Sequence, residues 1–284
     1  METNPRKVRK ALGAGRWFPG DGSQLRQMIR QCMDAAHPPQ VTGRIVSAIA
    51  PHAGYVYSGP VAGYTFRTLA DQAAAQGSPD TAVILGFSHR GSFSGVALMD
   101  GDAIATPLGE VPLDTAAADY LVGQNAGIVK DYAPHVWEHS AENEIPFAQA
   151  ALPDTKLVVA LLGDHRPGTI DGLVRALQAL AKIKRTVVVA SSDMLHDPSY
   201  EKVTKTDRMT LEKVAAMDVD GVQRMWSQAR QVFCGIGPVT AAMQLARAQG
   251  CAQGQVLYYR NSGDDFPESR GEWVVGYGAV VFAA

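Results

Sequence analysis

Apolar runs of strand length recur along this chain, and they are continuous rather than alternating. They cover residues 45–50, 82–85, 157–162, 187–190, 256–259 and 274–281, and are rich in β-branched residues. A strand with one wet face alternates apolar and polar side chains. A strand without alternation is covered on both faces, as in parallel sheets flanked by helices. Helically spaced segments separate several of the runs. Ile170, Leu173, Val174, Leu177 and Leu180 keep i, i+3, i+4, i+7 spacing, with Lys182 and Lys184 where a helix should end. Residues 200–217 and 220–229 also read as helices. The alternation predicts an α/β fold, a single layered α/β/α domain over residues 1–284 around a largely parallel or mixed central sheet. Residues 91–113 depart from the pattern, and their Gly101-Asp102 pair predicts a short antiparallel excursion.

Several function classes are disfavoured at once. With 46% hydrophobic residues the chain can bury a sizeable core, and a formal net charge of -2 gives no reason to expect a nucleic-acid partner. The one basic cluster, Arg6, Lys7, Arg9 and Lys10, reads as a solvated N-terminal arm. No apolar stretch reaches 18 residues and no signal-type apolar segment follows the N-terminus, so no membrane partner is expected. Cys32, Cys234 and Cys251 are odd in number and far apart, which argues against a disulfide framework and for a reducing cytoplasm.

Metal-competent side chains stand beside glycine or proline at the ends of apolar runs. The segments are Ala50-Pro51-His52-Ala53-Gly54-Tyr55, Leu85-Gly86-Phe87-Ser88-His89 and Phe233-Cys234-Gly235-Ile236-Gly237-Pro238. Ligands of open α/β sheets bind beyond the carboxyl ends of the strands, where His52 and His89 are expected. Cys234 precedes a helix-like segment with Pro238 in its first turn, a setting that favours the thiolate. Ser191-Ser192-Asp193-Met194-Leu195-His196 marks a fourth strand end, where Asp193 and His196 could move or orient a proton. Glu138-His139-Ser140-Ala141-Glu142 adds three titratable groups, and on a helix Glu138 and Glu142 would share a face. His37, His135 and His165 lie in polar, loop-like contexts. Imidazole and thiolate together suit Fe(II), Cu or Zn rather than Mg or Ca, and three protein ligands leave positions open for substrate.

The chain also carries Ala14-Gly15-Arg16-Trp17-Phe18-Pro19-Gly20, Thr106-Pro107-Leu108-Gly109, Ser262-Gly263-Asp264 and Val275-Gly276-Tyr277. Together with the segments above, these resemble the Memo family, protein B of the AmmeMemoRadiSam set, nearly end to end. The resemblance implies a fold similar to the class III extradiol non-heme iron dioxygenases, with the metal ligands on His52, His89 and Cys234. It places Asp193 and His196 along the site, His196 resembling the acid/base histidine of the dioxygenase relatives. Those relatives use two histidines and a carboxylate, so Cys234 takes the carboxylate's place and ring cleavage does not follow from the likeness. Phe87 stands where relatives often have Pro, and Glu144, where many have Gln or His, is expected to add a negative charge near the site. The leading expectation is an iron- or copper-binding protein, with Zn as a further candidate, doing redox or O2-dependent chemistry on a small molecule. Two other readings stay open. One is a peptide- or partner-binding cleft lined by Tyr55, Trp17 or Phe18; the other is a hydrolase using Cys234 with His52 or His196.

Overall fold

The computed structural model describes residues 6–284. In chain order the strands are β1 (Val8–Lys10), β2 (Ile45–Ala50), β3 (Thr81–Phe87), β4 (Val96–Leu98), β5 (Ala103–Thr106), β6 (Gly109–Pro112), β7 (Ile128–Lys130), β8 (Lys156–Leu162), β9 (Thr186–Ser191), β10 (His196–Asp197), β11 (Gly254–Asn261) and β12 (Val274–Ala283). The helices are α1 (Gly22–Ala35), α2 (Tyr55–Gln76), α3 (Thr115–Val122), α4 (Ile145–Ala151), α5 (Pro167–Ala181), α6 (Tyr200–Ala215), α7 (Val219–Met225), α8 (Ile236–Ala248) and α9 (Ser262–Asp265).

Strands β2, β9, β3 and β8 lie side by side and parallel, forming the centre of the main sheet. Antiparallel β12 and β11 extend one edge, and β4 with β7 the other. Each central strand is buried almost throughout, and successive residues point to opposite layers. Val83, Leu85, Val158, Ala160 and Val188 pack against α3, α5, α7 and α8. Ala82, Ile84, Leu157, Val159 and Val187 pack against α1, α2 and α4. The unbroken apolar runs thus mean what the pattern predicts, an α/β/α sandwich around a mixed sheet. Burying each large branched side chain contributes roughly 1.5–3 kcal/mol.

Other expectations are corrected. The basic arm runs into strand β1, which pairs with β5 in a small three-stranded sheet; Arg6, Lys7 and Lys10 stay exposed, while Arg6 pairs with Glu110 and Lys7 and Arg9 with Asp100. The antiparallel excursion exists, but its tight turn is Pro107-Leu108, between β5 and β6; Gly101-Asp102 instead carries the chain from the main sheet to the small one. The helix expected over 220–229 stops at Met225, because Trp226 turns extended and its indole N–H donates to the Phe233 carbonyl. Helices α1 and α2 cross very closely. A Cβ on Gly63 would lie 2.4 Å from the Cys32 carbonyl oxygen, so only glycine fits the crossing.

Candidate metal centre

The parallel strands end in step: Ala50 is opposite Ser191, Leu85 opposite Ala190 and Phe87 opposite Leu162. The chain then leaves the sheet through polar residues, His52 after β2, His89 after β3, Asp193 after β9 and His165 after β8. Cys234 reaches the same place on the loop before α8. Its backbone N–H donates to the Asp193 carbonyl (3.1 Å), and the Gly235 N–H to Ser192 Oγ (2.8 Å). Gly235 is required, since a Cβ there would stand 2.8 Å from the Ser191 carbonyl oxygen.

The three expected ligands do come together. His52, His89 and Cys234 each offer a donor atom within 4.8 Å of the other two. Cys234 Sγ lies 3.3 Å from His52 Nε2. With metal bonds of about 2.0 Å to nitrogen and 2.3 Å to sulfur, that separation corresponds to a ligand–metal–ligand angle of about 100°. Each imidazole is also anchored through Nδ1, His52 to Ser191 Oγ (2.9 Å) and His89 to Glu138 Oε1 (3.0 Å). Anchoring one ring nitrogen fixes the ring and leaves Nε2 for a metal, the usual outer-sphere arrangement of histidine ligands. The donor set therefore fits a thiophilic transition metal.

Burial dominates the electrostatics. His52 is held well below the ordinary imidazole value, first by burial and then by the charges of His89, His139 and His196. Burial would lower His89 too, but hydrogen bonds to Cys234 and Glu138 overcome it and raise the ring to about 10. The same pairing pulls Glu138 down to about 2 although burial alone would raise it. Glu138 is fully buried. Oε1 accepts from the backbone N–H groups of His139 and Ser140, both at 2.9 Å, and Oε2 from that of His89 at 2.6 Å.

Other sequence expectations fare differently. Asp193 does not hold His196; its Oδ1 accepts from the backbone N–H groups of His52 (2.8 Å) and Ala53 (3.2 Å), so it fixes the ligand loop. His196 sits in β10 opposite Val275, edge-on to Trp273, lowered to about 4 by burial and the His89 charge. Its buried Nε2 has no hydrogen-bond partner among the described residues. Glu138 and Glu142 share no helix face. Trp137 has φ 65, the helical turn begins only at Glu142, and both carboxyls are buried. Glu142 instead accepts from the Gly13 N–H (2.5 Å), drawing the N-terminal segment over the site. Tyr55 and Phe18 are buried, leaving Trp17 as the partly exposed member of the cleft expected for a peptide.

Two histidines gained importance. His139, whose role was open, lies between the site and Trp17, with ring centroids 5.3 Å from His52, 5.0 Å from His89 and a stacked 4.1 Å from Trp17. His165, set aside in a loop, stacks on Phe87 at 3.8 Å. Its position directly after an apolar run, like His52 and His89, was the available signal. His135 is buried and its Nε2 pairs with the Ala97 carbonyl (3.1 Å), a structural contact.

Comparison with known proteins places the chain in a family. The family described as Memo-like protein matches residues 9–281. A MEMO1 family protein of Methanopyrus kandleri is 34% identical over 282 residues, covering 95% of this chain and 96% of that one. Another, from Nitrosopumilus maritimus, is 32% identical over 280 residues, covering 97% and 99%. The crystal structure of an uncharacterized protein from Escherichia coli K12 has a TM-score of 0.50 at 12% identity, covering 84% of this chain and 99% of that one. That likeness concerns the fold alone. By sequence over nearly its whole length, the chain belongs to the Memo-like protein family.

Proposed function

We propose that this protein binds iron or copper through His52, His89 and Cys234 and uses it for redox or O2-dependent chemistry on a small molecule. The observation that carries the reading is the pair of Nδ1-anchored imidazoles whose remaining nitrogens converge with one thiol. When bound, such a metal supplies a Lewis acid and a one-electron redox centre. The protein's own residues do the rest. Asp193 holds the His52 loop, and Glu138 holds His89 in register. The stacked rings of Trp17 and His139 flank the imidazoles of His52 and His89 on one side. His196, neutral at physiological pH, is the group able to take up or deliver a proton at Nε2. Loading must displace the His89 proton, so metal affinity rises with pH.

Anaerobic purification followed by metal analysis tests the assignment. Wild-type protein is expected to take up Fe(II) or Cu stoichiometrically, and a His52→Ala, Cys234→Ser double variant to take up none. Wild-type stoichiometry in the double variant would overturn it; an O2-uptake screen over small molecules then addresses the chemistry. The 3.3 Å Sγ–Nε2 contact also fits a cysteine nucleophile with His52 as its base. That second reading requires rapid alkylation of Cys234 in metal-free protein, and ordinary free-thiol rates would exclude it.

A further inference from the structure

Glu144 lies beneath the site, 1% exposed, with Oε1 2.8 Å from Ser191 Oγ. The same hydroxyl oxygen is 2.9 Å from His52 Nδ1 and 2.5 Å from the Ser140 carbonyl oxygen. Three neighbours thus surround an oxygen that carries a single hydrogen. The Ser140 carbonyl can only accept, and it is the nearest. Were the hydrogen elsewhere, two oxygens would face each other at 2.5 Å through lone pairs alone. The Ser191 hydrogen therefore points to Ser140. Ser191 Oγ is left with two lone pairs and two neighbours, and each of those neighbours has to donate. His52 does so by carrying its proton on Nδ1. Glu144 can do so only as a carboxylic acid.

The surroundings of Glu144 agree. Its second oxygen, Oε2, is buried with no hydrogen-bond partner among the described residues. An ionised carboxylate left half-unsatisfied in the interior is far more costly than a neutral acid in the same place. The charged neighbour that bears on it is Asp193, which is itself acidic. Burial, opposed by Ser191 and reinforced by Asp193, holds the group well above the usual carboxylate range.

We propose that Glu144 is a positioning residue, a neutral hydrogen-bond donor that acts through Ser191 to fix His52 with its proton on Nδ1 and its Nε2 lone pair toward Cys234. On this reading Glu144 adds no negative charge beside the site and acts there as a glutamine would. The two imidazoles are then oriented by carboxyl groups in opposite states, His89 by ionised Glu138 and His52 by protonated Glu144. His52 is fixed without Glu144 adding a further buried anion next to Ser191.

The consequence for metal affinity rests on the metal reading above, but the proton placement is read in metal-free protein, so the two can fail separately. Difference infrared spectra of wild type against Glu144→Gln at pH 7 should show the carbonyl stretch of a protonated carboxylic acid in the wild type only. Nitrogen-15 NMR should find His52 protonated on Nδ1 in both proteins. Ser191→Ala, which removes the link, should yield mixed tautomers and lose about 10- to 100-fold in Co(II) affinity, while Glu144→Gln stays within about threefold of wild type. A carboxylate signal from Glu144, or His52 protonated on Nε2 in wild type, would overturn the proposal. Should Glu144→Gln fail to fold, the protonated-acid band is read in wild type against Ser191→Ala, which should shift it by removing the Glu144 partner; an unshifted spectrum would overturn the proposal. Correct proton placement in a wild type that binds no Co(II) would instead remove the metal reading and leave this one standing.

Discussion

Replacing Glu138 by Gln alters one charge and almost no volume, which makes it a clean test of how His89 is held. Oε1 receives three donors, His89 Nδ1 and the N–H groups of His139 and Ser140, whereas Oε2 receives only the His89 N–H. The amide nitrogen of Gln will therefore take the Oε2 position, where it faces a backbone donor at 2.6 Å. One charge-assisted bond is lost and its donor left unsatisfied, a cost of about 1–3 kcal/mol, and three bonds weaken on losing the charge. Linkage gives a similar figure. Lowering a fully buried carboxyl from 4.5 to about 2 corresponds to about 3 kcal/mol favouring the folded, ionised form. The sign is specific. Glu138 is depressed, so its contribution is complete above about 4.5 and fades as pH falls toward about 2. His89 is elevated, so its contribution is complete below about 6.5 and fades as pH rises toward about 10. Urea unfolding of metal-free wild type and Glu138→Gln should show a gap of about 3 kcal/mol near pH 5.5, shrinking on both sides. A gap under about 1 kcal/mol, or one that stays flat between pH 3 and pH 6, would refute the reasoning.

Two other substitutions probe the scaffold. Gly63→Ala drives a Cβ into the α1 backbone at the Cys32 carbonyl, and overpacking should outweigh the gain in helix propensity by about 2 kcal/mol. A neutral result in thermal unfolding would mean that the crossing has slack. Asp207, held up at about 8 by burial against the Leu195 N–H and the Tyr259 hydroxyl, keeps a proton in the folded state that the unfolded chain releases near 3.8. Wild-type stability should therefore fall as pH rises from about 4 to about 8, and Asp207→Asn should escape the fall, exceeding wild type by at least about 1 kcal/mol at pH 8. Parallel stability curves for the two proteins would contradict this.

The central strands were legible because burial on both faces leaves a direct mark on sequence, and each run sits within one or two residues of its strand. Helix α2 left no such mark. Gly59, Pro60 and Gly63 weaken its helical signal, and the reason for Gly63 is a neighbouring helix that no local pattern reveals. The pairing of the arm containing Arg9 was hidden for the same cause, since its acidic partner Asp100 is 91 residues away. At the site, residue types at strand ends pointed to His52 and His89, and a thiol just before a helix start pointed to Cys234, because both signals are local and the crevice follows from topology. What Asp193 and Glu144 touch could not be read this way. Both are settled by hydrogen bonds to residues 141 and 47 positions distant, and those decide whether a carboxyl accepts or donates.

The wide spacing of the donors has a consequence for how the protein matures. Cys234 and His52 are 182 residues apart, and they meet only once β2, β3 and β9 have aligned and the loop before α8 has closed on them. An unfolded or nascent chain offers no pre-arranged chelate, so metal cannot nucleate this fold in the way it nucleates a zinc finger. The apolar sandwich has to assemble first. On the metal reading proposed above, loading is a late event, open to whichever ion meets the already folded protein.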